Sequence, residues 1–397
     1  MKEFEGTELS GSFDWLIPPS KSHIIRWLAL GSQSIGETII SFEGVPGEDS
    51  VSMANCLISM GSDIDFGDDS WLVVGSGDGL DIPSRTLQCG NSGTTASIVS
   101  AMSACLEGDI RIDGDNSLRT RRSDGLCEAL SQLGCGISSN SIPRIISGRI
   151  SYGNATLNRG ETSQGLTAMA LASPNLPHNI SLKLEGVPVS EGYWGLSKKI
   201  CSMSGKDFYV ENENIKLGPW EVKAPALVEI NAEESLIPMA TLFSRIHGVE
   251  VRNNVVDEIG GLKSAIDKLI GGSEVLDLAY ASDIITPSAA IMAIGNGGKI
   301  IGCGHARGKE SDRISKTVEM LDAFGMKSVE TNDGIIVPGG QIPCRPTSPV
   351  LTYSDHRMAM TAMIIASKTG GFVDGDDCVS ATDPEFADRL QSICENN

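Results

Sequence analysis

The chain has 397 residues, 40% of them hydrophobic, enough to fill the cores of two or three ordinary domains. A formal charge of −20 with a pI near 4.6 excludes nucleic acid and anionic membrane as natural partners, so any anion site must be a local cluster of Lys and Arg. Ten cysteines without a C-x-x-C pair or His-rich ligand spacing indicate neither a metal site nor a disulfide framework. The first residues lack a basic and apolar signal and no apolar run reaches the roughly 18 residues of a membrane span, so the expectation is a reduced, cytoplasmic protein.

Taken in chain order, the sequence repeats one design. Pro19-Ser20-Lys21-Ser22 opens a helix through Leu30, and Arg26 follows one turn on, so an ammonium, a hydroxyl and a guanidinium gather at one positive helix end. The glycine-rich turn Cys89-Gly90-Asn91-Ser92-Gly93-Thr94-Thr95 opens a small-residue helix to Leu106, and glycine lets backbone N–H groups approach a ligand oxygen. Leu118-Arg119-Thr120-Arg121-Arg122-Ser123 places three arginines together after the alternating strand Asp109–Asp113. Glu161-Thr162-Ser163-Gln164 then heads the helix Leu166–Ala172, and Ser190 with Tyr193 adds hydroxyls after the strand Ile180–Leu184. Each of these, alone, also describes an ordinary capped helix.

The second half reads the same way. Glu233-Glu234-Ser235, Thr286-Pro287-Ser288 and Ser354-Asp355-His356 are further turns before small-residue helices, with an alternating strand at Val249–Arg252. Gly304–Arg313 packs Arg307, Lys309 and Arg313 with Glu310 and Asp312 before an amphipathic run; a helix starting near Glu310 brings Lys309 and Arg313 over its first turn. His356 and Arg357 stand at a helix N-terminus, where a cation opposes the dipole unless an anion sits there. Second helices close on an apolar or small residue followed by Gly61, Gly134, Gly205, Gly271 and Gly325, as left-handed caps require.

The unit therefore reads β-α-β-α-β-β, with buried helices and half-exposed outer sheets, repeating every fifty to seventy residues or about that. Six units group into two α/β lobes of three. The chain crosses near Ile17-Pro18-Pro19 and Lys223-Ala224-Pro225, giving a discontinuous lobe of residues 1–17 and 225–397 and a continuous one of 18–224, with the cleft between them as the expected active site.

Lys21-Ser22 with Arg26, Gly90-Asn91-Ser92-Gly93-Thr94, Ser163-Gln164, Lys309-Glu310-Ser311-Asp312-Arg313 and Asp355-His356-Arg357-Met358-Ala359-Met360 occur in the order of one family. The chain resembles the 5-enolpyruvylshikimate-3-phosphate synthases, and is similar to the archaeal members in its Gly-His-x-Arg-x-Lys-Glu-Ser-Asp-Arg wording. That resemblance implies the two-lobed enolpyruvyl transferase-like fold. It implies transfer of the enolpyruvyl group of phosphoenolpyruvate to the 5-hydroxyl of shikimate 3-phosphate, without metal or organic cofactor; a monomer is expected because a hinged two-lobe enzyme needs no partner. Lys21, Ser22, Arg26, Thr162, Ser163, Gln164, Ser190, Tyr193, Asp283 and Lys309 are then expected to hold shikimate 3-phosphate. Lys21, Gly93, Arg121, Gln164, Arg313 and Arg357 are expected to hold phosphoenolpyruvate.

The chemistry needs a base on the attacking hydroxyl and an acid at the methylene carbon. Asp283 is the candidate base and Glu310 the candidate proton carrier. Lys309 and Lys21 stabilise charge, and Asn91, His305, Asp355 and His356 support them. The sequence departs from the family pattern around Asp283, at Ser97 where the family has arginine, and at Ala381 where it has lysine; a lysine at 381 is expected to tighten phosphoenolpyruvate binding. Two alternatives stand beside this reading. One is the sister transferase acting on a UDP-amino sugar, which needs a loop cysteine that Asp113–Arg122 lacks and that Cys127, reading as a buried helix position, does not supply. The other is a non-catalytic binder of phosphorylated metabolites.

Overall fold

In the computed structural model, which describes residues 1–77, 79–255 and 260–395, the small-residue runs are helices enclosed by the rest of the chain. Ala, Ser, Thr and Met present little bulk, so helices built from them can approach one another closely on several sides. The chain divides into two units, one of Pro19–Ile230 and one of Met1–Pro18 with Asn231–Asn397.

In the first of these, α1 (Lys21–Gly31), α3 (Gly93–Ser103) and α6 (Gln164–Ala172) are the inner helices and pack on one another. The other helices are α2 (Glu48–Ser59), the single turn α4 (Asn116–Arg119), α5 (Asp124–Gln132) and α7 (Glu191–Met203). Three four-stranded sheets flank them, each with one parallel pair followed by an antiparallel hairpin. Their orders are Leu227–Ile230, Ile35–Phe42, Ser70–Ser76, Asp63–Phe66; then Leu87–Gln88, Asp109–Asp113, Arg144–Ser147, Gly136–Ile137; then Asn154–Asn158, Ile180–Glu185, Asn214–Leu217, Val210–Glu211. This is the expected β-α-β-α-β-β unit three times over, and strands such as Asp109–Asp113 alternate exposed and buried as their sequence does.

The first of these sheets moves the boundary drawn from sequence. Its first strand, Leu227–Ile230, comes from the end of the unit and pairs in parallel with Ile39–Phe42. Pro18, whose carbonyl accepts from Glu233 N at 2.8 Å, belongs with the other unit. The crossings thus lie at Pro18/Pro19 and Ile230/Asn231, not at 17/18 and 224/225. Proline stiffness marked the neighbourhood, but strand pairing decides which side a segment joins.

In the other unit, α8 (Ile237–His247), α10 (Ile285–Ile294) and α12 (His356–Thr369) are the inner helices, and α9 (Gly260–Ile270), α11 (Arg313–Ala323) and α13 (Phe386–Glu395) complete the set. Only one of its sheets is four-stranded, in the order Val275–Asp277, Gly297–Ile301, Gly334–Pro338, Val329–Thr331. The other two, Ser12–Trp15 with Glu250–Asn253 and Lys2–Phe4 with Gly371–Val373, have two strands each among the described residues. The repeat is therefore abbreviated in two of its six copies: the chain passes from α9 straight to Val275 without a hairpin, and from Gly371–Val373 through a short helical turn to α13, with no hairpin among the described residues.

Gly61, Gly134, Gly205 and Gly325 end their helices at φ between 75° and 107°, as read from sequence. After α9 the left-handed residue is Gly272, at φ 73°, rather than Gly271. Two glycines in a row left that choice to the following chain.

Candidate active site

Each unit assembles a cluster of the residues singled out above. In the Pro19–Ile230 unit, Lys21 begins α1 and its Nζ lies 2.7 Å from Asp49 Oδ2 at the start of α2. Thr95 on α3 reaches the Asp49 carbonyl at 3.5 Å, so three helix starts converge. Arg26 is buried: Nε donates to Ser197 Oγ at 2.8 Å, Nη1 to Ser22 O at 2.8 Å and Nη2 to Tyr193 O at 3.3 Å. Its guanidinium carbon is 5.9 Å from the Tyr193 ring centroid, which ties α1 to the start of α7. Ser190, just before α7, holds a left-handed φ of 52° although it is not glycine; such a conformation costs ~1–3 kcal/mol and is typical of sites where geometry matters more than ease.

Gly93, Gln164 and Arg121 come together. A methyl group placed on Gly93 would sit 3.5 Å from both amide atoms of Gln164 and 3.6 Å from Arg121 Nη1, so the missing side chain leaves the helix end open beside them. Asn91 takes two bonds from Arg121, to its carbonyl at 3.1 Å and to Oδ1 at 2.5 Å, and Ser117 Oγ takes a third at 3.0 Å. Of the three neighbouring arginines this is the one turned toward the glycine turn; Arg119 pairs with Asp113 and Arg122 with Asp124 at the surface. Ser97, standing where a cation was expected, bonds to Gly93 O at 2.9 Å and approaches Gln164 Oε1 at 3.4 Å. Gln164 in turn bonds through its backbone N–H to Thr162 Oγ1 at 3.2 Å, while Ser163 sits buried between them in sequence.

The second cluster is centred on Arg313, whose side chain is 1% exposed. Nη1 meets Asp283 Oδ1 at 2.7 Å, Nη2 meets Glu310 Oε2 at 2.5 Å, and Nε meets Asp355 Oδ2 at 2.8 Å. Burial opposes its charge, but Asp355, Glu310 and Asp283 outweigh that and raise the guanidinium above its ordinary range. Lys309 Nζ is 3.6 Å from the same Asp283 oxygen. Asp355 also accepts from Ser311 Oγ at 2.9 Å and from Arg357 N at 2.9 Å, so it caps α12. Arg357 is buried and donates to Ser235 O at 3.0 Å and Ser235 Oγ at 2.6 Å; its Nε has no hydrogen-bond partner among the described residues. His356 is buried beside it. Burial, helped by Lys309, lowers the His305 pKa to about 4, so its imidazole is neutral near pH 7.

The helix after this motif does not start near Glu310. Asp312 caps it by accepting from Ser315 N at 3.1 Å, and α11 begins at Arg313. Lys309 and Glu310 precede the helix, in a segment that Arg307 fastens to Thr331 O at 2.7 Å and Asp312 Oδ2 at 2.8 Å. Ser311 and Asp312 favour side-chain capping over helix continuation, which explains the shift. Sequence reasoning missed Asp49, Ser117 and Ser197, and it read Ser235 as part of a turn without foreseeing Arg357 as its partner; an acid in the first turn of a helix or a lone serine carries no signal of such a partner.

The fold is that of the enolpyruvyl transferases. Superposition on EPSP synthase from Acinetobacter baumannii gives a TM-score of 0.74 at 20% identity, covering 98% of this chain and 96% of that one. The enolpyruvyl transferase NikO from Streptomyces tendae gives 0.69 at 11% identity, over 98% and 96%. The family model for EPSP synthase (3-phosphoshikimate 1-carboxyvinyltransferase) matches residues 5–203 and 245–390, and the chain belongs to that family. Among its relatives are the 3-phosphoshikimate 1-carboxyvinyltransferases of Methanocorpusculum labreanum, 27% identical over 95% of this chain and 94% of that protein, and of Methanothermobacter thermautotrophicus, 27% identical over 98% of each.

Proposed function

We propose that the chain transfers the enolpyruvyl group of phosphoenolpyruvate to the 5-hydroxyl of shikimate 3-phosphate, giving 5-enolpyruvylshikimate 3-phosphate and phosphate. The observation that carries this reading is the Arg313 cluster, in which three carboxylates hold one buried guanidinium and Lys309 lies against one of them, Asp283. Asp283 takes the proton of the 5-hydroxyl as its oxygen attacks C2 of phosphoenolpyruvate. Glu310 gives a proton to the methylene carbon, forming the tetrahedral adduct. Glu310 then removes a proton from the new methyl group as the C–O bond to phosphate breaks, restoring the double bond. Lys309 offsets charge on the hydroxyl oxygen.

Arg313, Arg357, Arg121 and Lys21 bind phosphoenolpyruvate with Gln164 and the Gly93 helix end, because a carboxylate and a phosphate need forked cations. Arg26, Ser22, Thr162, Ser163, Gln164, Ser190, Tyr193 and Lys21 bind shikimate 3-phosphate with Asp283 and Lys309. Asn91, His305, Asp355 and His356 hold neighbours in place. This reading requires both units to act on one pair of substrates. Cys127 does not favour the UDP-sugar alternative, since its sulfur is buried 2.7 Å from Arg144 Nη1. We place the protein in the cytoplasm, in keeping with its family, and as a monomer, since a two-unit enzyme needs no second copy; its ten cysteines are free thiols, and no described helix is long and apolar enough to cross a membrane.

Phosphate release should require both substrates. Arg121→Ala should raise the Michaelis constant for phosphoenolpyruvate about tenfold, and that for shikimate 3-phosphate much less, since a charged contact to one substrate is lost. No phosphate release by the intact protein sinks the proposal, and equal effects on both constants remove Arg121 from it.

A further inference from the structure

Five described non-glycine residues have left-handed backbone: Ser190, Asn212, Glu213, Tyr353 and Ser354. Asn212 and Glu213 form the two-residue turn of a hairpin, where that conformation is normal. Tyr353 and Ser354 are different. They lie side by side at φ 57° and 56°, immediately before Asp355. Each costs ~1–3 kcal/mol and persists only where its surroundings over-determine it.

The surroundings do so from three directions. Upstream, Thr352 is fastened to Asp374, N to Oδ1 at 2.6 Å and Oγ1 to O at 3.2 Å. Downstream, Asp355 is held by Arg313, Ser311 and Arg357 N. Between them the Tyr353 side chain crosses to α11, where its hydroxyl donates to Glu319 Oε2 at 2.6 Å. Lys316 Nζ lies 4.4 Å from the Tyr353 ring centroid and 2.7 Å from Glu319 Oε1. Lys316 and Glu319 lie along the helix that Arg313 begins. The tyrosine therefore joins the segment carrying Asp355 to the helix carrying Arg313. The bonds from Lys316 and then Tyr353 lower the Glu319 carboxyl below its ordinary range.

We propose that Tyr353 is a positioning residue: touching neither substrate, it clamps the strained turn to α11 so that Asp355 meets Arg313 Nε and caps Arg357 N. The kinetic part rests on the function proposed above, because Arg313 and Arg357 are the phosphoenolpyruvate cations. The structural part does not. Without the clamp the turn can relax toward ordinary backbone, and Asp355 then loses its register against both arginines.

The test uses the full chain with Tyr353→Ala, Tyr353→Phe and Glu319→Gln. In Tyr353→Ala, amide hydrogen exchange across residues 352–358 should quicken by about tenfold, and the phosphoenolpyruvate Michaelis constant should rise about fivefold or more with that for shikimate 3-phosphate within about twofold. Tyr353→Phe keeps the ring over Lys316, and Glu319→Gln keeps an acceptor for the hydroxyl, so each should retain most of the protection and lose about two- to threefold in the same constant. Wild-type exchange in folded Tyr353→Ala overturns the clamp. If Tyr353→Ala fails to fold, unchanged exchange and unchanged constants in the other two overturn it instead. Quickened exchange in a protein that never turns over would sustain the clamp and sink the assigned reaction.

Discussion

Arg313 is a fully buried guanidinium bonded to three carboxylates. Breaking a buried pair leaves an uncompensated charge, so Arg313 cannot simply turn outward to a ligand; a ligand carboxylate has to replace Asp283 or Glu310 on it. On the proposed reading, the displaced carboxylate is released from Arg313 for proton transfer as the substrate arrives. Glu310→Gln preserves shape without an exchangeable carboxyl proton, so it should bind both substrates yet lose turnover by about a hundredfold or more, together with solvent deuterium incorporation into the phosphoenolpyruvate methylene. Asp283→Asn should also lose turnover, and with it the tetrahedral adduct. Deuterium incorporation at the wild-type rate in Glu310→Gln would make Glu310 a structural carboxylate, with Lys309 the next group to test.

Among the elements, the short helical turn Asp376–Ala381 changes one expectation. Ala381 stands where the family has lysine, which suggested that Ala381→Lys would tighten phosphoenolpyruvate binding. Ala381 is only 5% exposed and its turn packs against α12, so a lysine there has to displace packed neighbours. Overpacking typically costs ~1–3 kcal/mol. The expected outcome is a lower melting temperature with phosphoenolpyruvate affinity changed by less than about threefold, read by thermal denaturation and by calorimetric titration in the presence of shikimate 3-phosphate. A clear gain in affinity would mean that the turn rearranges to deliver the ammonium. Ser97 is the parallel case on α3: it fills its position with a hydroxyl directed at Gly93 and Gln164 in place of a charge.

For the whole molecule, the cations assigned to phosphoenolpyruvate come from both units, Lys21 and Arg121 from one and Arg313 and Arg357 from the other. On the proposed reading, one substrate draws on cations of both units, and closure of the units on it is the expectation to test. Small-angle scattering should therefore show a smaller radius of gyration at saturating shikimate 3-phosphate and phosphoenolpyruvate than in their absence. An unchanged radius at saturation counts against closure and would require each unit to bind its substrate independently.

Much of this was legible before any coordinates, and the reason is locality. Small-residue runs, alternating strands and glycine after a helix are short-range signals, and they placed the inner helices α1, α3, α6, α10 and α12 and four of five left-handed caps. The charged motifs brought Lys21, Glu310, Arg313 and Arg357 to notice for the same reason, since each motif lies within a few residues, while only the family resemblance singled out Arg121 among three neighbouring arginines. Partnerships across the chain were beyond it. That Asp283, Glu310 and Asp355 all meet Arg313, that Asp49 meets Lys21, and that Leu227–Ile230 completes the sheet begun at Ile35 depend on which distant segments pack together. A buried charge must find its counter-charge wherever the fold brings one within reach. A strand joins whichever edge is open to it, and neither condition is written in the residues nearby.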